Sequence, residues 1–223
     1  MAEQTKKKTY NPTAFTPKAR AVFPRLNTPD TKFNAQGRYS VKIRLPEAEG
    51  RDFLATLQKI DEENFKEVVA AHSNDIDKKT GKLLPPPTND GLPYSLELGD
   101  DKKPNGYMTV GFGMTASYTD KKTQKMVALK PALYDSQGKP INVEVGGGSL
   151  IKVAFQPSGY YVEGTRKAGV SLRLQAVQII ELVKFGGVTF GKEEGGYVAE
   201  ENQPFPSDEG SAPSVSSTSA GNF

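Results

Sequence analysis

The chain has 223 residues, with 29 Lys or Arg, 26 Asp or Glu, one histidine and no cysteine. The lack of cysteine excludes disulfides and thiolate metal sites, and a single histidine excludes most nucleophile–base pairs, although metal chemistry on carboxylates stays open. The sequence has no apolar run long enough for a membrane helix and no apolar segment in its first eight residues, so we expect a soluble, cytoplasmic protein.

Three segments follow from the distribution of residue types. We predict a basic flexible arm over residues 1–17, one folded domain over 18–190 and a disordered acidic tail over 191–223. The first strand of the domain is predicted over residues 19–26. The Asn, Thr, Pro and Asp of residues 27–30 are typical turn formers and are expected to end it.

The clearest strand is predicted over residues 38–45, where polar and apolar residues alternate strictly. Alternate residues of a strand share a face, so Arg38, Lys42 and Arg44 form a basic stripe on one side. Pro46 is expected to end the strand because proline cannot donate a ladder hydrogen bond.

A helix is predicted over residues 47–71, because Phe53, Leu57 and Val68 recur at helical spacing. His72 stands at the end of this helix, where we expect a surface position. The segment 72–106 that follows is predicted to be a long connection.

The Asp75-Ile-Asp77 sequence in that connection resembles the start of a calcium loop. The later ligands of such a loop are missing. We therefore expect neither a metal nor another cofactor.

Alternation returns further along the chain and predicts strands over residues 107–118, 125–130, 149–156 and 170–183. The chain then has six or seven strands and one main helix, joined by extended loops. Short strands at this spacing favour a mainly β fold, a small closed β-barrel, over a parallel sheet.

Charge is divided unevenly between the body and the end of the chain. Residues 1–192 carry 29 basic and 20 acidic side chains, whereas the last 31 residues carry six acids and no Lys or Arg, and they end on Phe223. A basic body suggests a polyanionic ligand. The acidic tail either competes for the same surface and presents its terminal aromatic to other proteins, or only improves solubility.

Basic strand faces beside tyrosine-bearing loops favour binding to unpaired nucleic acid, because cations pair with phosphates and aromatic rings stack on bases that a duplex hides. The phosphate candidates are Arg38, Lys42, Arg44, Lys152, Arg166, Lys167 and Arg173. The stacking candidates are Tyr107, Tyr134, Tyr160 and Tyr161. For any one of them, protection of a strand edge or a half-buried tyrosine is the alternative.

Three stretches resemble bacteriophage single-stranded DNA-binding proteins that have an OB fold and a C-terminal tail ending in phenylalanine. They are residues 37–46, residues 147–178 and the tail to Phe223. The resemblance implies an OB-fold barrel with one inserted helix and a non-catalytic role in phage DNA replication, recombination and repair. It also implies a location in the cytoplasm of the infected bacterial host.

The same resemblance implies that the tail recruits a phage DNA polymerase or other replication proteins, and that the protein is a monomer or weak homodimer. The expected docking residues are Asp208, Glu209 and Phe223. Here 13 residues separate Glu209 from Phe223, whereas the family places its acids close to the terminal aromatic. We therefore expect a weaker competition between tail and DNA.

Two other hypotheses fit the same composition. A β-rich virion protein, such as a decoration or tail component, would use the basic faces for assembly. A metal-dependent nuclease would need an acidic cluster on strands, but the acids of this chain lie mainly in the helix, the turns and the tail.

Overall fold

The computed structural model describes residues 11–32 and 34–184. The predicted acidic tail, with Asp208, Glu209 and Phe223, and the first ten residues of the predicted arm lie outside the described residues. In chain order the elements are β1 Ala14–Phe15, β2 Ala19–Asp30, β3 Arg38–Pro46, α1 Glu47–His72, β4 Thr88–Asn89, β5 Tyr94–Leu98, β6 Pro104–Thr115, β7 Ser117–Thr119, β8 Met126–Ala128, β9 Ala132–Tyr134, β10 Leu150–Val162 and β11 Lys167–Glu181.

The described chain is mostly β-strand with a single helix, which confirms the mainly β prediction. β3 lies between β2 and β6 and pairs antiparallel with both. β10 and β11 form a long antiparallel hairpin; β10 also pairs with β2, and β11 pairs parallel with β6. The pairings therefore link β2, β3, β6, β11 and β10 so that each has two neighbours within this set.

Shorter strands extend these five. β1 pairs with β10, β4 and β9 pair with β11, and β5 pairs with β6. β7 and β8 form a separate two-stranded hairpin, as the 125–130 segment predicted. Within the described residues, no helix has the length and apolar character needed to cross a membrane.

The alternation of β3 sorts its side chains between the core and the surface. Val41, Ile43 and Leu45 are at most 1% exposed, whereas Arg38 and Lys42 are exposed. Burying an aliphatic side chain of this size contributes about 1.5–3 kcal/mol, so these residues fix which face of β3 is inward. The prediction for this strand is confirmed in its first residue and in its facing, and the strand extends one residue further than predicted, through Pro46.

The helix α1 begins directly after Pro46, as predicted, and packs on β3, β6, β10 and β11. Phe53 meets Phe155 of β10 edge to face, with ring centroids 5.8 Å apart. The side chain of Asn64 donates to the Gly169 carbonyl at 3.1 Å, which ties the helix to the β10–β11 hairpin. The helix thereby supports the strands from the core side and leaves their outward faces open.

The first strand is longer than predicted. Residues 27–30 continue β2 and do not form a turn. The Asn27 side chain donates to the Val143 carbonyl at 2.8 Å and accepts from the Val145 amide, so tertiary bonds hold this segment extended. The predicted connection 72–106 likewise contains β4, β5 and the start of β6.

The predicted flexible arm is wrong for its second half. Residues 14–15 form β1 on the edge of β10, and Thr16 is buried. The Thr16 amide donates to the Val153 carbonyl at 3.0 Å, and the Val153 amide donates to the Thr16 hydroxyl at 2.9 Å. These hydrogen bonds occupy backbone groups of β10 at Val153, beyond the two residues of β10 that pair with β2.

Candidate nucleic-acid interface

An open groove of about 900 Å³ runs over the outward faces of β6, β10 and β11, beside the start of β3. It brings together three residues predicted from the sequence, two glycines and a tyrosine of the β7–β8 hairpin. These are Arg38, Tyr160, Arg173, Gly111, Gly113 and Tyr118.

Two glycines make the floor of the groove flat. Gly111 and Gly113 occupy outward positions of β6, where other residues would raise a side chain. A Cβ atom at Gly113 would collide with the guanidinium of Arg38, which lies over this glycine. A Cβ atom at Gly111 would meet nothing within 4 Å. The backbone is therefore open to a ligand at Gly111, whereas the Arg38 guanidinium covers it at Gly113.

Cations stand on both sides of this floor. Gly113 pairs with Ser40 of β3 on one side and with Arg173 of β11 on the other. Arg38, Lys42 and Arg173 are exposed, and none of them has an ion pair with another described residue. Unpaired guanidinium and ammonium groups of this kind are free to bind an anion such as a phosphate.

Arg44 completes the basic stripe of β3 but is already partnered. Its Nε lies 2.6 Å from Glu97 Oε2, and its guanidinium carbon lies 3.5 Å from the centroid of the Tyr107 ring. The hydrogen bond from Arg44 lowers the pKa of the Glu97 carboxyl. Arg44 thus covers one face of the Tyr107 ring, which stays 38% exposed, and the two candidates form a pair outside the groove.

Tyr160 and Lys167 lie near the turn of the β10–β11 hairpin. Tyr160 is half-buried on the groove wall, and burial raises the pKa of its hydroxyl. Lys167 Nζ lies 2.9 Å from Asp90 Oδ1, and that hydrogen bond raises the pKa of Lys167. Lys167 is therefore a partly neutralised cation at the rim.

Two of the predicted contacts, Arg166 and Tyr161, already have partners within the protein. Arg166 is only 8% exposed, and its guanidinium binds Asp75 at 3.0 Å and the carbonyls of His72 and Pro85. The Tyr161 ring stacks on His72 with centroids 4.3 Å apart. The hairpin turn folds back onto the C-terminal end of α1, where free carbonyls attract an arginine. Both residues therefore contact the end of α1 or the connection that follows it.

Lys152 and Tyr134 lie apart from the groove. They line a smaller pocket of about 190 Å³ together with Phe15 of β1. Lys152 Nζ lies 5.4 Å from the centroid of the Phe15 ring. Of the predicted set, the groove itself therefore gathers Arg38, Tyr160 and Arg173.

The β7–β8 hairpin carries residues that the sequence analysis did not select. Tyr118 lines the groove and is 44% exposed. The turn beside it presents the exposed side chains of Lys121, Lys122 and Lys125. An aromatic residue next to a lysine cluster was the available signal, but such a turn is also ordinary hairpin composition.

Comparison with known proteins identifies the family of this chain. The family model described as "Single-stranded DNA-binding protein, Bacteriophage T7" matches residues 18–182. The chain belongs to this family of phage single-stranded DNA-binding proteins. The match runs from just before β2 to just after β11, so the matched region contains every strand of the groove.

Relatives within the phage single-stranded DNA-binding family cover most of the chain. The single-stranded DNA-binding protein of Enterobacteria phage T3 is 30% identical over 180 residues, which are 76% of this chain and 75% of that protein. The one of Escherichia phage T7 is 30% identical over 178 residues, or 74% and 73% of the two chains. The resemblance predicted from the sequence is confirmed.

A solved structure of this family has the same fold. The crystal structure of gp2.5, a single-stranded DNA-binding protein encoded by bacteriophage T7, matches with a TM-score of 0.63 and 26% identity. The match covers 85% of this chain and 100% of that one.

Proposed function

We propose that this protein is a non-catalytic single-stranded DNA-binding protein acting in phage DNA replication, recombination and repair. The observation that carries the proposal is the groove in which unpaired Arg38, lying over Gly113, and unpaired Arg173 border the open backbone of Gly111. A flat floor between two cations admits a single strand with its phosphates at the sides. Family membership supports the same ligand.

The five mutually paired strands are proposed to be a closed barrel of the OB type, with α1 inserted between β3 and β6. OB barrels bind oligonucleotides across one outward face. The groove described above lies on such a face, since β3, β6 and β11 all contribute outward residues to it. The barrel would then serve as the rigid support of the interface.

The proposed mechanism divides the work between cations and rings. Arg38, Lys42 and Arg173 pair with phosphates, while Tyr118 and Tyr160 stack on bases. Stacking contributes about 1–3 kcal/mol per base and tolerates any sequence, which suits a protein that coats a strand. A duplex hides its base faces and would use only the phosphate contacts.

Two cations that already form ion pairs, Arg44 and Lys167, would provide further phosphate contacts. Arg44 with Tyr107, and Lys167, would exchange Glu97 and Asp90 for a phosphate when DNA arrives. Such an exchange costs part of the new interaction, because the carboxylate must be released. These residues are proposed to tune affinity rather than to create the site.

The acidic tail is proposed to compete with DNA for the basic surface. Tethering gives it a high effective concentration, and DNA would release it. Once free, Asp208, Glu209 and Phe223 would recruit a phage DNA polymerase or other replication proteins in the cytoplasm of the infected host. The protein itself would act as a monomer or weak homodimer.

Fluorescence anisotropy with a labelled 30-nucleotide strand (an arbitrary length of roughly two OB sites), its duplex and the matching RNA tests the proposal. We expect tight binding to the DNA strand that weakens with salt, and weak binding to the duplex. Equal affinity for duplex and single strand, or no binding at low salt, would refute it. Stable high-order oligomers without DNA would instead indicate a virion protein.

A further inference from the structure

The smaller pocket also lies on the β10–β11 pair. Its β10 residues are nearer the start of that strand than the β10 residues of the groove are. We call it the Phe15 pocket; it is lined by Phe15, Tyr134, Lys152, Ala154 and Ala176. Its volume of about 190 Å³ is below the roughly 300–1,000 Å³ of sites for drug-sized ligands. Ala154 and Ala176 are paired across the two strands. Because their side chains are small, they form the floor of a cavity between Phe15 and Tyr134. The pocket therefore suits one flat ring system.

The chemistry at its rim suits a nucleotide. Phe15 is 61% exposed, so one face of an aromatic ring is available for stacking. Lys152 stands beside that ring and makes no ion pair with any residue in the described ranges. The Gln178 amide nitrogen donates to the carbonyls of Asp135 and Ser136, which leaves its oxygen as an acceptor for a base amino group.

The pocket and the groove share one face of the β10–β11 pair. Ala154 lines the pocket and Ser158 lines the groove, and alternate residues of a strand point the same way. Gln156 stands between them, opposite Arg173 of the groove. Four residues of β-strand span about 13 Å, a distance that a few nucleotides cover. Between the two sites the Gln156 amide nitrogen donates to the Asn11 carbonyl, and the Thr13 hydroxyl donates to the Gln175 side chain. A strand that leaves the groove therefore stays on this face but passes over the segment 11–13 to reach the pocket.

We propose that the Phe15 pocket binds one base of the same single DNA strand that occupies the groove, with the base stacked on Phe15 and a neighbouring phosphate paired with Lys152. This inference rests on the proposed function and extends it to a second contact point. A free cation beside an open ring favours a nucleotide over an apolar peptide side chain, which would leave Lys152 without a partner.

A single tryptophan reports on this pocket directly, because the chain has none. In Phe15→Trp, a base stacked in the pocket quenches the indole emission. Leu83→Trp is the matched control, since Leu83 is 65% exposed and lines neither the pocket nor the groove. Both proteins are titrated with oligothymidylates of about 4 to about 16 nucleotides, the range of OB-fold site sizes, while anisotropy records binding.

We expect loss of emission in Phe15→Trp only with oligonucleotides longer than the shortest one that binds, and no loss in Leu83→Trp. Adding Ala154→Leu to Phe15→Trp fills the pocket at a half-exposed position and should abolish the quenching without weakening the binding of short oligonucleotides.

Binding without quenching at any length would overturn the pocket assignment and leave the proposed function intact. Quenching that survives Ala154→Leu would also overturn it, because the base would then contact Phe15 from outside the pocket. A lack of any anisotropy change in both tryptophan variants would refute the proposed function itself.

Discussion

Two arginines of this chain show how neighbours decide what a residue does. Arg173 stands on the outward face of β11 without an ion pair to the described residues, whereas Arg166, seven positions earlier, is enclosed by Asp75 and two carbonyls. Both were equally plausible phosphate contacts in the sequence. An arginine whose hydrogen bonds are already satisfied inside the protein has little to offer a phosphate.

Arg173→Ala should lower affinity for single-stranded DNA and make binding less sensitive to salt. Removing one phosphate contact lowers the slope of log K against log salt concentration by about 0.7 for a single strand. Anisotropy titrations across a salt series measure both effects. Arg51→Ala, on the exposed side of α1, is the control and should leave the slope unchanged; an unchanged slope in Arg173→Ala would remove this residue from the interface.

Asp75 links stability to pH. Hydrogen bonds from Arg166 and then His72 lower the pKa of its carboxyl in the folded protein below the ordinary value near 3.8. A lowered pKa means that the carboxylate stabilises the fold above the unfolded-state pKa, and that this stabilisation disappears as pH falls through the folded-state pKa.

Asp75→Asn should therefore unfold at a lower denaturant concentration than the parent protein at pH 7, and the difference should shrink as pH falls below about 4. Urea titrations at several pH values measure it. Asp52→Asn, on the exposed surface of α1, is the control for the removal of one carboxylate. A difference for Asp75→Asn that stays constant down to acid pH would show that the charge of Asp75 contributes nothing.

At the scale of the element, β6 combines two demands in one strand. Its inward residues Met108, Val110 and Phe112 are at most 2% exposed and build the core. On its outward face Gly111 leaves open space, and Gly113 makes room for the Arg38 guanidinium. Glycine in a strand weakens it through its backbone entropy and lack of packing. Backbone hydrogen bonds to β3 on one side and β5 on the other offset the loss of stability that the glycines cause.

Gly111→Val should abolish or strongly weaken DNA binding while the protein stays folded. The new side chain has open space around its Cβ atom, so it would stand in the groove and not in the core. Anisotropy and a thermal melt together measure this. Thr109→Val places the same side chain two residues earlier on the same face, where one already stands, and should bind normally. Unchanged DNA binding by Gly111→Val would mean that the bound DNA does not pass over β6.

At the scale of the whole molecule, the division of charge sets how the protein responds to salt. The excess of basic residues precedes residue 193, and the last 31 residues carry only acids. Tail competition and DNA binding are both electrostatic, so salt weakens them together. The net effect of the tail should therefore be largest at low ionic strength.

Deleting residues 199–223 should raise the affinity for single-stranded DNA at low salt, because four of the six tail acids are removed. A full-length variant with those four acids changed to amides is the control for length and should behave like the deletion. Anisotropy at low and at physiological salt gives the comparison. Equal affinities for the deletion and the full chain at low salt would contradict competition by the tail.

Local pattern was enough to predict the elements that have one strong signal. Polar and apolar residues alternate without exception over 38–45, and apolar residues recur at helical spacing over 47–71. Only a strand buries one face of the first segment, and only a helix buries one face of the second. The same reasoning failed at residues 27–30, where turn formers are held extended by Asn27. It also failed at residues 14–15. They pair with residues of β10 that are far away in sequence, so no local pattern predicts this strand.

The sequence by itself determined the mainly β class, the inserted helix and the basic surface, because alternation, helical periodicity and charge are properties of the chain alone. It also indicated the family, through the resemblance of residues 37–46, residues 147–178 and the tail. Only the tertiary structure decided which cations meet. It brought Arg38 and Arg173 to one groove, turned Arg166 inward and placed Lys152 beside Phe15. Those positions depend on strand register and on the fold of the hairpin turn, which join residues far apart in sequence.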